Sequence, residues 1–452
     1  MELVTRADLP LLTDQYELAM VQAYWKEGMF GRAVFSLFVR RLPEGRNYLL
    51  ACGLDDALGY LESFRFDEDA LSHLAASGRY DGDFLRWLEE CRFTGDVYAV
   101  PEGTPVFADE PILEVEAWLP EGQLVETLLM NQVHLQTVLA SKASRVVTAA
   151  GGRDIVDFGL RRMHGVDAGL KAARAFHVAG VSGTSNVLAG RIYGIPVVGT
   201  MAHSYVQAHD DELTAFRAFA ALYPDTYLLV DTYDSIQGVR HVVRLAEELG
   251  PDFRVQGIRL DSGDLRRLSL WARKILDEAG LSDVRIFASG GLDEYEIERL
   301  LQEGAPIDGF GVGTSMGVSA DAPALDIAYK LTEYAGRGRM KLSPGKRTFP
   351  GRKQVFRVER RGVARRDVLA PTGVAEPGRP LLEKVMEGGR RLPAGRRTLE
   401  DARARAKDEI AMLPAEIRAL APASRPFPVD VSADLQKLRE GVIAEVQGEV
   451  AG

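Results

Sequence analysis

Between residues 153 and 316 the chain alternates short apolar, β-branched runs with longer stretches of helical periodicity. The apolar runs occupy 155–158, 178–181, 195–198, 227–230, 255–260, 284–288 and 307–312, and each leads into Gly, Asp or Ser. Consecutive apolar positions, rather than alternating ones, mark strands buried on both faces, as in a parallel sheet. The spacing is near that of one βα unit of about 30 residues. Between the runs, 237–249 and 268–279 have the spacing of amphipathic helices, and 292–303 reads as a third with Asp293 as its N-cap. The expected class is α/β, an irregular β/α barrel of about seven strands spanning 131–330.

The flanks differ in pattern. In 1–130, stretches 97–107 and 112–117 read as strands joined by Pro-containing turns, and 124–150 reads as a long helix feeding the barrel. In 331–452 one strand stands out at 354–359, and 401–420 and 433–446 read as helices. The two flanks are expected to form an additional α+β domain, the C-terminal part packing back on the N-terminal part. Charge supports a distinct C-terminal region: 331–400 holds 18 Lys and Arg against 7 Asp and Glu, a net +11.

Composition narrows the function classes. Hydrophobic residues make up 46% of the 452 and charged residues 27%, which excludes a disordered or fibrous chain. The formal net charge of -10 argues against a dedicated nucleic-acid or anionic-membrane binder. No apolar run approaches the roughly 18 residues of a membrane span, and acidic residues interrupt the first apolar stretches, so no signal segment is expected. Cys52 and Cys91 have no metal-binding or disulfide-framework spacing, so a reducing cytoplasm is the expected location. Glycine is in mild excess, 45 residues or about 10% against a usual ~7%.

Those glycines gather where ligands bind in parallel β/α folds, at the carboxyl ends of the strands. Gly290 and Gly291 follow one late run, and Gly311 and Gly313 lie in the GVGTS segment at the next. Late-strand glycines exposing N–H groups form a common phosphate cradle, although tight turns use the same residues. The RLDSGD segment brings Arg259, Asp261 and Asp264 to one strand end. A carboxylate there suits Mg²⁺ or sugar hydroxyls, and the arginine suits a carboxylate or phosphate. The alternative is an Arg–Asp ion pair with Asp264 capping the next helix. Of seven histidines, only His203 follows an apolar run and a Gly-Thr turn. At that mouth it would serve as general acid/base, nucleophile or metal ligand, the last being disfavoured for want of a second ligand at suitable spacing. Tyr16 and Phe158 are candidates to flank a flat ring.

The motifs LLTDQYELAM (11–20), DFGLRR (157–162), GTSNVLAG (183–190), GTMAHS (199–204), IRLDSGDL (258–265), ASGGLDE (288–294), GFGVGTSM (309–316), KLSPGK and GRKQVFR (341–357) together resemble nicotinate phosphoribosyltransferase. They fall in that family's order, while the chain beyond Arg357 carries no matching motif and Met163-His164 departs from the family pattern. The resemblance implies transfer of phosphoribosyl from 5-phosphoribosyl 1-pyrophosphate to nicotinate, giving nicotinate mononucleotide and pyrophosphate for NAD biosynthesis. It implies coupling to ATP hydrolysis through a phosphohistidine, His203 by motif position. Because positive charge develops on the ribose as pyrophosphate leaves, Asp261 and Asp264 are the candidate catalytic carboxylates, with Asp261 also as a Mg²⁺ ligand. Tyr16, Phe158, Arg161, Ser185, Thr200 and Arg259 would contact nicotinate. Ser262, Gly263, Gly290, Gly291, Gly311, Gly313 and Thr314 would contact the phosphoribosyl pyrophosphate. A head-to-tail homodimer with shared sites is implied, Tyr16 reaching the partner's site.

Competing readings are weighed on the same residues. Nicotinamide phosphoribosyltransferase carries an aspartate where this chain has Ser185, and a carboxylate would repel an acid substrate. A Schiff-base aldolase would need a lysine at a strand end, and none of the seven runs ends in one. A non-catalytic phosphosugar-binding barrel remains the alternative outside enzymes, against which His203 and Asp261 speak.

Overall fold

The computed structural model describes residues 7–342 and 348–451; most of the KLSPGK motif lies outside the described residues. The chain forms two compact units, one of residues 142–323 and one of residues 1–141 with 324–452.

The 142–323 unit is built on six strands: β1 Asp154–Asp157, β2 Gly183–Thr184, β3 Tyr227–Leu229, β4 Gly257–Leu260, β5 Arg285–Ser289 and β6 Gly309–Val312. They pair in the order β2-β1-β6-β5-β4-β3, all parallel. Ile155, Leu228, Leu229, Ile258, Leu260, Ile286, Phe310 and Val312 are buried, as strands covered on both faces require. The helices between are α1 Val166–Ala179, α2 Val187–Tyr193, α3 His203–Gln207, α4 Glu212–Leu222, α5 Ser235–Leu249, α6 Leu265–Glu278, α7 Glu294–Gln302 and α8 Thr314–Gly317. Asn186, Asp211, Asp234, Asp264 and Asp293 cap α2, α4, α5, α6 and α7 with their side chains, each contributing about 1 kcal/mol.

Two of the seven expected strands are different in the structure. Residues 178 and 179 end α1, which Gly180 terminates in the left-handed conformation at φ +110°. A short Ala/Val run is compatible with either buried helix or strand, and the strand follows at Gly183 instead. The 195–198 run makes only a bridge, Thr184 to Val197, and Val197 is 51% exposed. Pro196 supplies a carbonyl to the Thr184 N–H but has no N–H of its own. The result is a mixed α/β fold around a six-stranded parallel sheet, against the irregular β/α barrel of about seven strands expected.

A buried charge cluster ties the start of this unit to α7. Glu294 accepts from Lys142 Nζ at 2.5 Å and from Arg145 Nε at 2.9 Å, and Lys142 also meets Asp321 at 2.8 Å. Both cations come from the helix Glu126–Ala149.

The other unit centres on the strand Arg32–Val39, which pairs antiparallel with Ile327–Tyr334 on one side and Pro111–Trp118 on the other. The expected 97–107 strand is split into Asp96–Ala99 and Pro105–Val106 around a turn, and Pro414 separates the helices Leu399–Met412 and Ala415–Arg418 where one was expected. Strands Lys353–Arg360 and Val363–Pro371 form a second sheet with Val429–Val431. Arg357 on this sheet is fully buried. It makes a two-pronged bond to Asp367 at 3.0 and 2.6 Å, meets Glu409 at 3.4 Å and Pro105 O at 2.9 Å, and lies 5.6 and 6.0 Å from the rings of Phe107 and Phe427. Replacing Asp367 by Ala leaves that cation short of its main partner, and urea unfolding should show a loss of about 3–5 kcal/mol. A loss below about 1 kcal/mol, the level of an exposed pair, would contradict this account.

Candidate active site

Arg259 extends from β4, half-buried. Its Nη1 donates to Thr200 Oγ1 at 2.6 Å and its Nη2 to the Met201 carbonyl at 3.2 Å. The guanidinium carbon lies 5.9 Å from the centre of the Phe158 ring, within cation–π range. Its Nε is buried without a hydrogen-bond partner among the described residues. Burial pushes the guanidinium below its ordinary value, Asp261 and Asp231 push it back up, and nearby Arg161 pushes it down. The expected alternative of an Arg–Asp ion pair is not formed among the described residues, so Arg259 retains capacity for an anion.

Phe158 follows β1 and donates its N–H to Val312 O at 2.9 Å. A Cβ on Gly311 would lie 2.5 Å from the ring, so the glycine is what admits the aromatic at this height. Gly311 itself lies inside the β-ladder, level with Ser289 and Val156, not in the loop beyond. Asp157, buried just before Phe158, accepts from Gly159 N–H and Thr184 Oγ1, both at 2.8 Å. Burial raises its pKa and those two bonds lower it. Ser185 N–H donates to the Asp157 carbonyl at 2.9 Å, so one residue joins the ends of β1 and β2.

His203 begins α3. Its Nδ1 lies 3.1 Å from Thr232 Oγ1 and its Nε2 lies 3.8 Å from Asp261 Oδ2. Asp261 Oδ1 accepts from Ser289 Oγ at 2.5 Å. Asp231, at the end of β3, accepts through Oδ2 from Asp261 N–H at 3.0 Å and Ser262 Oγ at 2.6 Å, while its Oδ1 is buried without a partner. The ends of β3, β4 and β5 and the start of α3 therefore meet in one polar cluster. Asp264 is outside it: exposed, it accepts from Arg267 N–H at 3.0 Å as the cap of α6, the simpler of its two expected roles.

The glycine turns stand beside this cluster. Gly290 has φ +92°, and a Cβ there would lie 1.8 Å from the Asp261 carbonyl; Gly291 follows at φ +66°. Gly263 turns the chain at φ +81° between Ser262 and α6. Gly313 precedes α8, whose first residue, Thr314, is exposed. Arg161, in the short helix Leu160–Arg162, is also exposed. Asp157, Asp231, Thr232 and Ser289 stand at the carboxyl ends of apolar runs in the sequence, but nothing in the sequence assigns them a role.

Tyr16 belongs to the other unit, on the helix Gln15–Lys26, and is 46% exposed. Burial, then the charges of Glu126 and Glu17, push the phenol upward. Glu17 is fully buried and accepts from Thr13 Oγ1 at 2.6 Å and Thr127 Oγ1 at 2.5 Å.

An unpaired arginine beside an aromatic ring, facing glycine turns after the late strands of a parallel sheet, suits a flat anion and a phosphosugar together. The class is that of β/α enzymes acting on anionic, phosphate-bearing substrates. Comparison with known proteins gives the family. Residues 11–134 match the nicotinate phosphoribosyltransferase (NAPRTase) N-terminal domain and residues 154–346 the nicotinate phosphoribosyltransferase (NAPRTase) family. Among relatives, nicotinate phosphoribosyltransferase pncB2 of Mycobacterium tuberculosis is 55% identical over 96% of this chain and 95% of its own length. The Bacillus subtilis nicotinate phosphoribosyltransferase is 46% identical over 77% and 73%. The crystal structure of human nicotinic acid phosphoribosyltransferase superimposes with a TM-score of 0.84 at 29% identity, covering 95% of this chain and 99% of that one. The chain belongs to the nicotinate phosphoribosyltransferase family and is an enzyme of that type. The mycobacterial likeness extends past Arg357, where motifs alone gave no match.

Burial pushes the Glu17 carboxyl from 4.5 up to about 7; the Thr127 and Thr13 hydroxyls oppose this, and Glu126 and Asp14 add to it. The folded state thus holds a proton that the unfolded chain releases, and stability falls as pH rises from about 4.5 through about 7. Glu17→Gln should remove that part of the decline. Thermal unfolding across the window checks it, and parallel curves for the two proteins would refute it.

Proposed function

We propose that this enzyme joins nicotinate to 5-phosphoribosyl 1-pyrophosphate at the carboxyl ends of β1 to β6, and couples the reaction to ATP through phosphorylation of His203. The observation that carries the reading is Arg259, half-buried beside Phe158 with a buried Nε that has no partner among the described residues. A pyridine ring lying along Phe158 would bring its carboxylate to Arg259, with Thr200 and Arg161 close by. Ser185 is neutral, which suits the acid over the amide.

Positive charge develops on the ribose as pyrophosphate leaves, so the site has to hold the anionic leaving group and keep the ring nitrogen in line. Ser262, Gly263, Gly290, Gly291, Gly313 and Thr314 border the position for the phosphates. No base is needed, because the pyridine nitrogen already carries a lone pair. Asp261 fits a magnesium ion: its Oδ2 accepts no hydrogen bond among the described residues, and one or two carboxylates with substrate phosphates are the usual ligands. Bound there, the ion would neutralise the pyrophosphate. For His203, donation of Nδ1–H to Thr232 would leave the Nε2 lone pair for the phosphoryl group of ATP. The added charge would then act on the neighbouring anion-binding loops.

Incubation with 5-phosphoribosyl 1-pyrophosphate, Mg²⁺ and nicotinate or nicotinamide, with and without ATP, should yield nicotinate mononucleotide by mass, at a higher rate with ATP. Amide product alone would overturn the Ser185 argument. ATP should also leave an acid-labile phosphate on the protein, and its persistence in His203→Ala would refute the assignment.

A homodimer with shared sites is part of the same reading. Val187, Leu188 and Ile192 on α2, with Val197, are 72%, 46%, 49% and 51% exposed, an apolar surface suited to a second copy. Light scattering at assay concentration should give twice the mass of the chain; a fully active monomer would exclude the arrangement.

A further inference from the structure

Two adjacent residues at the end of β3, Asp231 and Thr232, face in different directions and meet different parts of the site. Asp231 Oδ2 takes the Asp261 N–H at 3.0 Å and the Ser262 hydroxyl at 2.6 Å. Thr232 Oγ1 takes the other part, lying 3.1 Å from His203 Nδ1. Asp261 in turn reaches both His203, at 3.8 Å, and Ser289 on β5, at 2.5 Å. One strand end thus sets the relative placement of the β4 turn, the histidine and the β5 turn.

The second oxygen of Asp231 is buried without a hydrogen-bond partner among the described residues. An aspartate used only for packing would lose nothing as an uncharged residue, and burial of a bare carboxylate oxygen works against it. Its retention is accounted for by what Oδ2 does. A single carboxylate oxygen accepts both a main-chain N–H and a hydroxyl. A neutral apolar residue supplies none of this.

We propose that Asp231 is a positioning residue for the phosphoribosyl pyrophosphate half of the site: it clamps the Asp261–Ser262 turn while its neighbour Thr232 fixes the His203 ring. The proposal rests on the nicotinate phosphoribosyltransferase reading above. Asp231 acts through the turn and needs no contact with substrate. Loosening it should weaken the phosphosugar subsite and leave ring binding at Phe158 largely as it was.

The test compares Asp231→Ala, Asp231→Asn, Ser262→Ala and the Asp231→Ala/Ser262→Ala double variant with the native chain. All are first checked for native thermal unfolding, then assayed for nicotinate mononucleotide formation. Asp231→Ala should raise KM for 5-phosphoribosyl 1-pyrophosphate about tenfold or more, with KM for nicotinate within about twofold. Asp231→Asn keeps an acceptor for both donors and should recover most of the loss. The double variant should fall short of the product of the single effects, because both remove the same bond. If Asp231→Ala unfolds, Asp231→Ser, polar but too short to bridge the Asp261 N–H and the Ser262 hydroxyl, takes its place in the comparison. Equal loss on both substrates, no rescue by Asn, or fully multiplicative effects would overturn the proposal. Absence of product from the native chain would instead overturn the reading on which it rests.

Discussion

The half-buried guanidinium of Arg259 organises the carboxyl end of the parallel sheet. Taking a cation out of water is costly, and most buried arginines are matched by a carboxylate at contact distance. Here compensation is partial: two hydrogen bonds to Thr200 and Met201, the face of Phe158, and the fields of Asp261 and Asp231 from a greater distance. Arg161 works against it. Such a site keeps unsatisfied demand for negative charge, which an incoming anion meets. Phe158 depends on the bare backbone of Gly311, and Asp261 on Ser289 and Asp231, so the surrounding residues follow from holding this charge and its aromatic neighbour in place.

The strand ends were legible because runs such as 227–230 and 284–288 are apolar at consecutive positions and lead into polar residues. Residues 178–181 misled because Ala and Val in a buried helix carry no alternation, and 195–198 because Pro196 lets the chain follow the sheet without joining it as a strand. His203, Arg259, Asp261 and Phe158, all legible as strand-end residues, lie close to one another in the structure. Asp264 caps α6, one of the two roles its position allows, whereas Asp231 carries no motif that assigns it a role. Sequence alone separates these poorly. Asp231, Asp234, Asp264 and Asp293 all lie within five residues of a strand end, and whether a carboxylate turns back to its own helix or across to the next strand is decided by tertiary contacts. The placement of Tyr16 at a partner's site rests on family resemblance, because nothing local in Gln15–Lys26 marks it as different from an ordinary exposed aromatic.

Charge also reads differently in three dimensions. The net +11 of 331–400 suggests a surface for polyanions, yet many of its cations already have partners. Arg352 meets Glu116, Lys353 meets Glu114, Arg357 meets Asp367, Arg379 meets Glu409, Arg391 meets Asp55 and Arg397 meets Glu383. Several of these carboxylates come from the first 120 residues, so the basic run balances acidic strands within its own unit. The overall -10 is compatible with anionic substrates for the same reason: local placement, not the sum, determines what a site attracts.

The φ of +92° at Gly290 and the 1.8 Å gap to the Asp261 carbonyl have a genetic counterpart. Any side chain there meets main-chain atoms that cannot step aside, so every missense change at that codon falls on the same side of the ledger. Its neighbour Gly291 has open space and a left-handed backbone, and that space is the position proposed for the phosphates. Two adjacent, identical letters in the sequence thus resist change for different reasons, the first because main-chain atoms block a side chain and the second because a side chain would occupy the ligand's space.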